Sequence, residues 1–302
     1  MINYYNVAEH VFGIEASEVQ LAQLTNYVPF QLSITRNEVN RAFVAENNQS
    51  PIFTIRVQEA PLPSADQWEH VYTDKSDDDM PRIEMYRRDD AWMFRISMYR
   101  DSDVVSAMEC SADWQEVKLY MATQYTRFAI DNAAMLVYAF ATADKKILLF
   151  HSSVTVRNGK GYMFLGHSGT GKSTHSQQWL TAFEDAHLLN DDNPVVRLMD
   201  DSKVIVYGSP WSGKTPCYKN ECAQVGALVQ LAQAPQNVIT KLRMTQAYPY
   251  ILASVSGLKV LPQMMDRLYE SIAQLLECVS VYKLECLPNP DAARLCAQTC
   301  SL

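Results

Sequence analysis

Residues 166–174, GHSGTGKST, limit what this chain can fold into more than any other stretch. They have the form G-x-x-x-x-G-K-[ST], with Gly166, Gly171, Lys172 and Ser173 in the defining positions. Such a loop works only between a strand and a helix. Its backbone N–H groups and the helix N-terminus must converge on one anion, whose charge the helix dipole favours. The flanks comply: the short apolar run GYMFLG precedes the loop, and THSQQWLTAF, a fair helix, follows it. Glycine is scarce in this chain, 10 in 302 residues, yet three glycines fall inside the loop. The stretch is read as a nucleotide-phosphate site built from Gly166, His167, Ser168, Gly169, Thr170, Gly171, Lys172, Ser173 and Thr174. Lysine supplies a mobile cation, and the Ser173 hydroxyl can reach a magnesium ion.

The remaining composition narrows the setting. At 302 residues, two domains and a sizeable core are expected. A net charge of −8 leaves no basic footprint, which argues against nucleic acid as a partner. The seven cysteines are odd in number and include no C-x-x-C pair, and the N-terminus lacks the pattern of a secretory signal. Reduced, mostly buried thiols in a cytoplasmic protein are expected, without zinc. The longest apolar run, AAMLVYAFATA between Asp131 and Asp144, is about half a membrane span, so no membrane association is expected.

Along the chain, HVFGIE and SEVQLAQL carry helical character. From Tyr27 the pattern turns to strands: PFQLSITR, AFVAE, IFTIRVQEA, EHVYTD, RIEMYRRD, AWMFRISMY and WQEVKLYM. The acidic run Asp77–Asp79 is read as a solvated loop. RFAIDNAAMLVYAFAT has helical spacing, and the strands KKILLFH, VTVRNGKG and YMFLG lead into the glycine loop, with NGKG as a hairpin turn. Later strands are expected in HLLNDDNPVVRLM, KVIVYGSPW, QVGALVQLAQA, NVITKLRM and VSVYKLECLP, with helices over 245–276 and in DAARLCAQTC. The expected organisation is a mostly antiparallel β region over 1–122, followed by an α/β phosphate-loop domain over 123–302.

Three features around the loop bear on chemistry. Asp191 and Asp192 close a strand about twenty residues after it; carboxylates there can hold magnesium or take a proton from an attacking hydroxyl. His151 ends the strand that precedes the hairpin, whereas His175 and His187 read as structural or surface residues. Residues 208–215, GSPWSGKT, match the loop pattern again by letter, with Gly208, Gly213, Lys214 and Thr215 in its positions. Pro210 removes a backbone donor and Trp211 adds bulk where phosphate must approach, so this segment is read as a substrate-side or phosphate-gating loop. Lys214 is its candidate charge stabiliser.

Together, the histidine before a hairpin, the loop GHSGTGKST and the Asp-Asp pair resemble the C-terminal domain of HPr kinase/phosphorylase. More widely, they resemble the phosphate-loop group that includes ATP-dependent phosphoenolpyruvate carboxykinase. The resemblance covers roughly residues 151–231. It implies ATP and Mg2+ as cofactors, with magnesium at Ser173 and Asp192. It also implies catalytic roles for His151, Asp191 and Asp192, one aspartate acting as base toward an acceptor hydroxyl on a protein, peptide or small molecule. Relatives of HPr kinase assemble, which implies a homo-oligomer. Thr174 stands where the HPr enzyme usually has an acidic residue, and this is nearer the carboxykinase pattern S-G-T-G-K-[TS]-T. Three activities stay open: a kinase, a nucleotide-sensing regulator without catalysis, and a carboxykinase-like enzyme.

Overall fold

The computed structural model describes residues 1–33, 50–74, 81–213, 215–257 and 259–300. The strand expected in AFVAE, the acidic run Asp77–Asp79 and Lys214 lie outside them. The chain forms two compact units, Met1–Thr142 and Ala143–Leu302.

The first unit contains β1 (Ile2–Val7), β2 (His10–Glu15), α1 (Glu18–Leu21), β3 (Thr54–Gln58), β4 (Glu69–Thr73), β5 (Arg82–Arg88), β6 (Ala91–Ser97), β7 (Val104–Cys110), β8 (Glu116–Met121) and α2 (Thr126–Ala141). Its eight strands form one sheet in the order β1-β2-β3-β8-β7-β6-β5-β4. The pairs β2–β3 and β3–β8 are parallel. The other pairs are antiparallel, as the alternating sequence predicts.

Local expectations fail at three places. HVFGIE is the strand β2 rather than a helix, because it pairs along its length with β1. Its turn uses Ala8 and Glu9 at φ 48° and 64°, left-handed positions that normally announce themselves with Gly or Asn. Residues Thr25–Phe30 form a 3-10 helix where the strand PFQLSITR was expected to begin, with Pro29 inside the turn. The strand β7 carries no clear signal in VVSAMEC.

Helix α2 forms as its periodicity predicts, with Ala129, Ile130, Ala133, Ala134, Val137 and Tyr138 buried. It packs on β7 and β8. Phe140 stacks on Trp114 with ring centroids 4.3 Å apart, and the Tyr138 hydroxyl donates to the Val7 carbonyl at 2.9 Å. Its apolar face is thus engaged by the first sheet, and the division of the chain follows Thr142 instead of falling at 122/123.

The second unit runs β9 (Ile147–Leu149), β10 (Ser152–Arg157), β11 (Lys160–Leu165), α3 (Lys172–Ala182), β12 (His187–Asn190), β13 (Val195–Leu198), β14 (Val204–Tyr207), β15 (Cys222–Gln233), β16 (Val238–Lys241), α4 (Met244–Ser254), α5 (Pro262–Cys278), β17 (Val281–Cys286) and α6 (Pro290–Cys300). These give a nine-stranded sheet with the path β12-β10-β11-β15-β14-β13-β9, and with β17 and β16 joining beside β15. Strands β11, β15 and β17 are parallel, which suits the near-continuous apolar runs of β11 and the middle of β15.

The long strand β15 pairs on one edge with β11, and on the other first with β14 and then with β17. Gly226 is an extra residue in its register with β11, since Gly161 faces Val225 and Tyr162 faces Ala227. A Cβ at Gly226 would lie 3.2 Å from both Lys160 Cβ and Tyr162 Cε1. This bulge reverses the faces of the strand. Ala223 and Val225 point to the α4–α5 layer, and Ala227, Val229 and Leu231 point to the α3–α6 layer. In the second layer Trp179 of α3 is fully buried against Tyr162 and Phe164. Truncating such a ring costs about 3–5 kcal/mol.

No helix of the described residues is long and apolar enough to cross a membrane. The cysteines are free, but only Cys110, Cys217 and Cys296 are buried, while Cys222 and Cys278 are exposed and Cys286 and Cys300 intermediate. The expectation of mostly buried thiols is corrected accordingly.

Candidate functional site

The register of β10 with its two neighbours decides where the chemistry-bearing residues meet. The hairpin β10–β11 turns at Asn158 and Gly159, both with positive φ, and pairs Ser152 with Leu165. Strand β12 pairs antiparallel on the other side, with Asn190 opposite Val154. The start of β10 and the ends of β11 and β12 therefore lie at one edge of the sheet. Pairing continues one step further, because the Ser152 N–H donates to the Asp192 carbonyl at 2.9 Å. His151, the glycine loop and the Asp191–Asp192 pair emerge together.

The loop has the geometry its glycines permit. Gly166, Gly169 and Gly171 have φ of 151°, 78° and 104°, conformations that L side chains rarely adopt. Gly171 caps α3, whose first turn carries Lys172, Ser173 and Thr174; the two hydroxyl residues are exposed. His167 and Ser168 lie exposed on the rim, and the Thr170 N–H donates to the His167 carbonyl at 3.2 Å. The Lys172 ammonium folds back and donates to the carbonyls of Gly166 at 2.9 Å and His167 at 3.3 Å. At the loop's outer turn the Gln233 amide donates to the Gly169 carbonyl at 3.3 Å.

Charge is concentrated opposite the loop. Burial lowers the proton affinity of Lys172, and the carboxylates of Asp192 and Asp191 act against that fall. Burial pushes the Asp192 carboxyl up to about 6; Asp191 adds to the rise, and Lys172 opposes it. His151 sits in the bend between β9 and β10 rather than in the strand, with its N–H donating to the Ser254 carbonyl at 2.7 Å. Burial brings its imidazole down to about 4, with Lys172 and His167 adding to the drop. Its Nδ1 lies 3.6 Å from Asp192 Oδ1. The ring is neutral at physiological pH, and the distance exceeds a hydrogen bond, so this approach is not an ion pair.

Asp191 is 7% exposed, and its Oδ1 is buried with no hydrogen-bond partner among the described residues. An orphaned buried carboxylate oxygen is costly, and a cation is one way to satisfy it. Among the described residues no group of three or more His, Cys, Asp or Glu could hold a metal ion. A cation here would take most of its oxygen ligands from phosphate and water, which is the usual habit of magnesium. The loop amides, Lys172, the Ser173 hydroxyl and the two carboxylates thus fit a magnesium–nucleotide phosphate group.

Two further segments border this edge, and sequence reasoning saw one of them dimly and the other not at all. The segment 208–213 is bonded to residues 190–193 through Ser209. After α4, the Ser256 hydroxyl donates to Asn193 Oδ1 at 2.7 Å, and its N–H donates to the Leu149 carbonyl at 2.8 Å. LASVSG has no recognisable motif; only its place beside His151 reveals it. His175, as expected, is structural: its Nε2 accepts from the Trp179 indole at 3.1 Å, and its ring meets Phe164 edge-on at 4.6 Å. His187 lies within 3.3 Å of Glu221 on the exposed side.

No family model matches the chain, and no curated protein does. Among solved structures, the Hpr(Ser) kinase/phosphatase from Coxiella burnetii is similar over 50% of this chain and 97% of that one. The two are 10% identical, with a TM-score of 0.30, a distant likeness.

Proposed function

We propose that this chain is an ATP-dependent phosphotransferase that moves the γ-phosphoryl group to a hydroxyl on a protein, peptide or small molecule. One observation carries the reading: a glycine loop with a lysine and a pair of acidic residues beside a neutral histidine share one sheet edge, fixed by the Ser152 N–H bond to Asp192 at 2.9 Å. A nucleotide-binding loop alone needs no such pair. Transfer to a hydroxyl needs a proton acceptor and a place for a cation.

In this reading the N–H groups of the loop and the α3 N-terminus bind the phosphates. Lys172 leaves the Gly166 and His167 carbonyls, which hold it 2.9 and 3.3 Å away, for phosphate oxygens. Bound magnesium would neutralise charge on those oxygens, and Ser173 with an aspartate would hold it. The two aspartates divide here in the opposite sense to the resemblance, which put magnesium at Asp192. Asp191 offers the orphaned buried oxygen, which suits a cation. Asp192, raised to about 6, suits a base working near neutral pH. Its carboxylate takes the proton of the acceptor hydroxyl as the new O–P bond forms and the bond to the β-phosphate oxygen breaks, leaving ADP. His151, uncharged, orients the acceptor without competing with magnesium for the carboxylates, as an imidazolium would.

The test is phosphate transfer from labelled ATP to a panel of hydroxyl-bearing acceptors by the wild type and by Lys172→Ala, Asp191→Ala and Asp192→Ala. Magnesium-dependent transfer that all three variants lose, while they stay folded, supports the proposal. Tight ATP binding by the wild type with neither transfer nor hydrolysis would replace it with a nucleotide-sensing regulator.

A further inference from the structure

Residues 208–215 repeat the letters of the phosphate loop, yet the structure of 208–213 is of another kind. No helix follows them; the described residues between Tyr207 and Cys222 are irregular. The segment folds back so tightly that a Cβ at Gly208 would lie 2.0 Å from the Lys219 carbonyl oxygen. Trp211, which would obstruct a phosphate cradle, is 5% exposed.

What holds this strap is a buried chain of polar groups. Asn190 and Ser209 are both fully buried. Asn190 Oδ1 accepts from the Asp192 N–H at 2.9 Å, and the side-chain amide N–H donates to Ser209 Oγ at 3.1 Å and to the Ser209 carbonyl at 3.3 Å. Ser209 Oγ has one proton to give. It goes to the Asn193 carbonyl, 2.6 Å away, which leaves the lone pairs for Asn190 and for the Trp211 N–H at 3.2 Å. The Asn193 N–H returns a bond to the Trp211 carbonyl at 3.1 Å. Each polar end of the Asn190 side chain is engaged, so its orientation is fixed.

At the far end of the strap, Gly213 lies against the acidic pair. A Cβ there would stand 3.2 Å from the Asp191 carbonyl oxygen and from Asp192 Cβ, and 3.4 Å from Asp192 Cγ. Only a residue without a side chain lets the strap close on Asp192 without displacing it.

We propose that Asn190 and Ser209 are positioning residues that lock residues 208–213 against Asp192 as the acceptor-side wall of the site, and that this strap grips no phosphate itself. The inference rests on the phosphotransferase reading of the same site. The two similar motifs then play different roles. The first holds the nucleotide, and the second shapes the space from which the acceptor hydroxyl arrives.

The experiment compares wild type with Ser209→Ala, and with Gly213→Ala as an exposed-loop variant that keeps the buried chain intact. Three readouts are taken: affinity for magnesium-ATP, the rate of ATP hydrolysis with water as acceptor, and backbone hydrogen exchange. Nucleotide affinity should stay within about twofold in both variants, while hydrolysis falls about tenfold or more, because the interaction lost acts on the reaction and not on binding. In Ser209→Ala, exchange should rise over 188–193 and 208–213 but not over 166–173. A tenfold loss of nucleotide affinity in either variant would make the strap a phosphate grip and overturn the proposal. So would unchanged hydrolysis in both, or unchanged exchange over 188–193 in Ser209→Ala. A wild type that neither hydrolyses ATP nor transfers phosphate would sink the phosphotransferase reading instead, and the exchange result would still decide whether Ser209 locks the strap.

Discussion

The Ser152 N–H donates to the carbonyl of Asp192 at 2.9 Å, one step beyond the last regular pair between β10 and β12. That bond sets the acidic pair beside His151, whose ring is 3.6 Å from the Asp192 carboxyl. That backbone bond thus fixes the acidic pair relative to the loop that follows β11.

Asp192→Asn should slow transfer by about a hundredfold or more and at the same time stabilise the fold at neutral pH. The folded carboxyl is raised from 3.8 to about 6, mainly by burial, so the ionised form is penalised above pH 6 and the penalty fades as pH falls toward 3.8. The side chain is 33% exposed, so screening reduces the effect, and about 1 kcal/mol is expected. Thermal unfolding at pH 7.5, paired with a transfer assay, checks both halves. A destabilised variant at that pH would contradict the account.

Lys172→Ala should remove nucleotide binding while leaving the melting temperature within a few degrees. The ammonium bonds only to the Gly166 and His167 loop carbonyls among the described residues. Titration with magnesium-ATP, followed by intrinsic fluorescence, reads the loss directly. Wild-type affinity in the variant would remove the loop from the phosphate site.

Two histidines, half-buried His151 and buried His175, make the protein acid-sensitive in a defined window. His151 and His175 are held near 4 in the fold by burial, against 6.5 in the unfolded chain. Between those values the unfolded state binds the extra protons, so stability is full above pH 6.5 and falls as pH drops toward 4. Asp192 acts in the opposite sense between about 6 and 3.8, and partly offsets the loss. His151→Gln should therefore flatten the pH dependence of the melting temperature between 6.5 and 4. A curve parallel to wild type would show that the ring is not held neutral.

Gly171→Ala tests the loop's backbone alone. At φ 104° a Cβ meets nothing within 4 Å, so the cost is conformational strain and not a clash. A loss of about 1–2 kcal/mol in stability is expected, together with a larger fall in ATP affinity as the N–H groups turn away from their shared focus. Calorimetric binding measures the second effect. Undiminished affinity would mean that the loop's shape does not matter for the ligand.

The parts of this molecule legible in its sequence are those in which one residue type has no substitute. Glycines at positive φ and a lysine at a fixed spacing announced the loop, Asn158–Gly159 announced the hairpin, and the apolar period of α2 announced a helix. The hairpin at Ala8–Glu9 stayed hidden because its left-handed positions are filled by residues that carry no turn signal. The grouping of α2 with the first sheet was not legible because periodicity shows that α2 has an apolar face but not which sheet covers it. The bonds of Ser209 and Ser256 to Asn193 were illegible for a related reason: a serine hydroxyl becomes informative only when folding brings its acceptor within 2.6–2.7 Å of it. The switch of faces at Gly226 likewise needs the partner strand to be visible.

The most direct measurement is single-turnover hydrolysis or transfer of γ-labelled ATP by wild type and by Asp192→Asn, both at saturating magnesium-ATP so that occupancy is equal. Label should leave ATP in the wild type, and the rate should be lower by about a hundredfold or more in the variant, the range expected when a general base is removed. Equal rates in the two proteins, or no loss of label from ATP in the wild type with any acceptor or with water, would contradict the phosphotransferase reading.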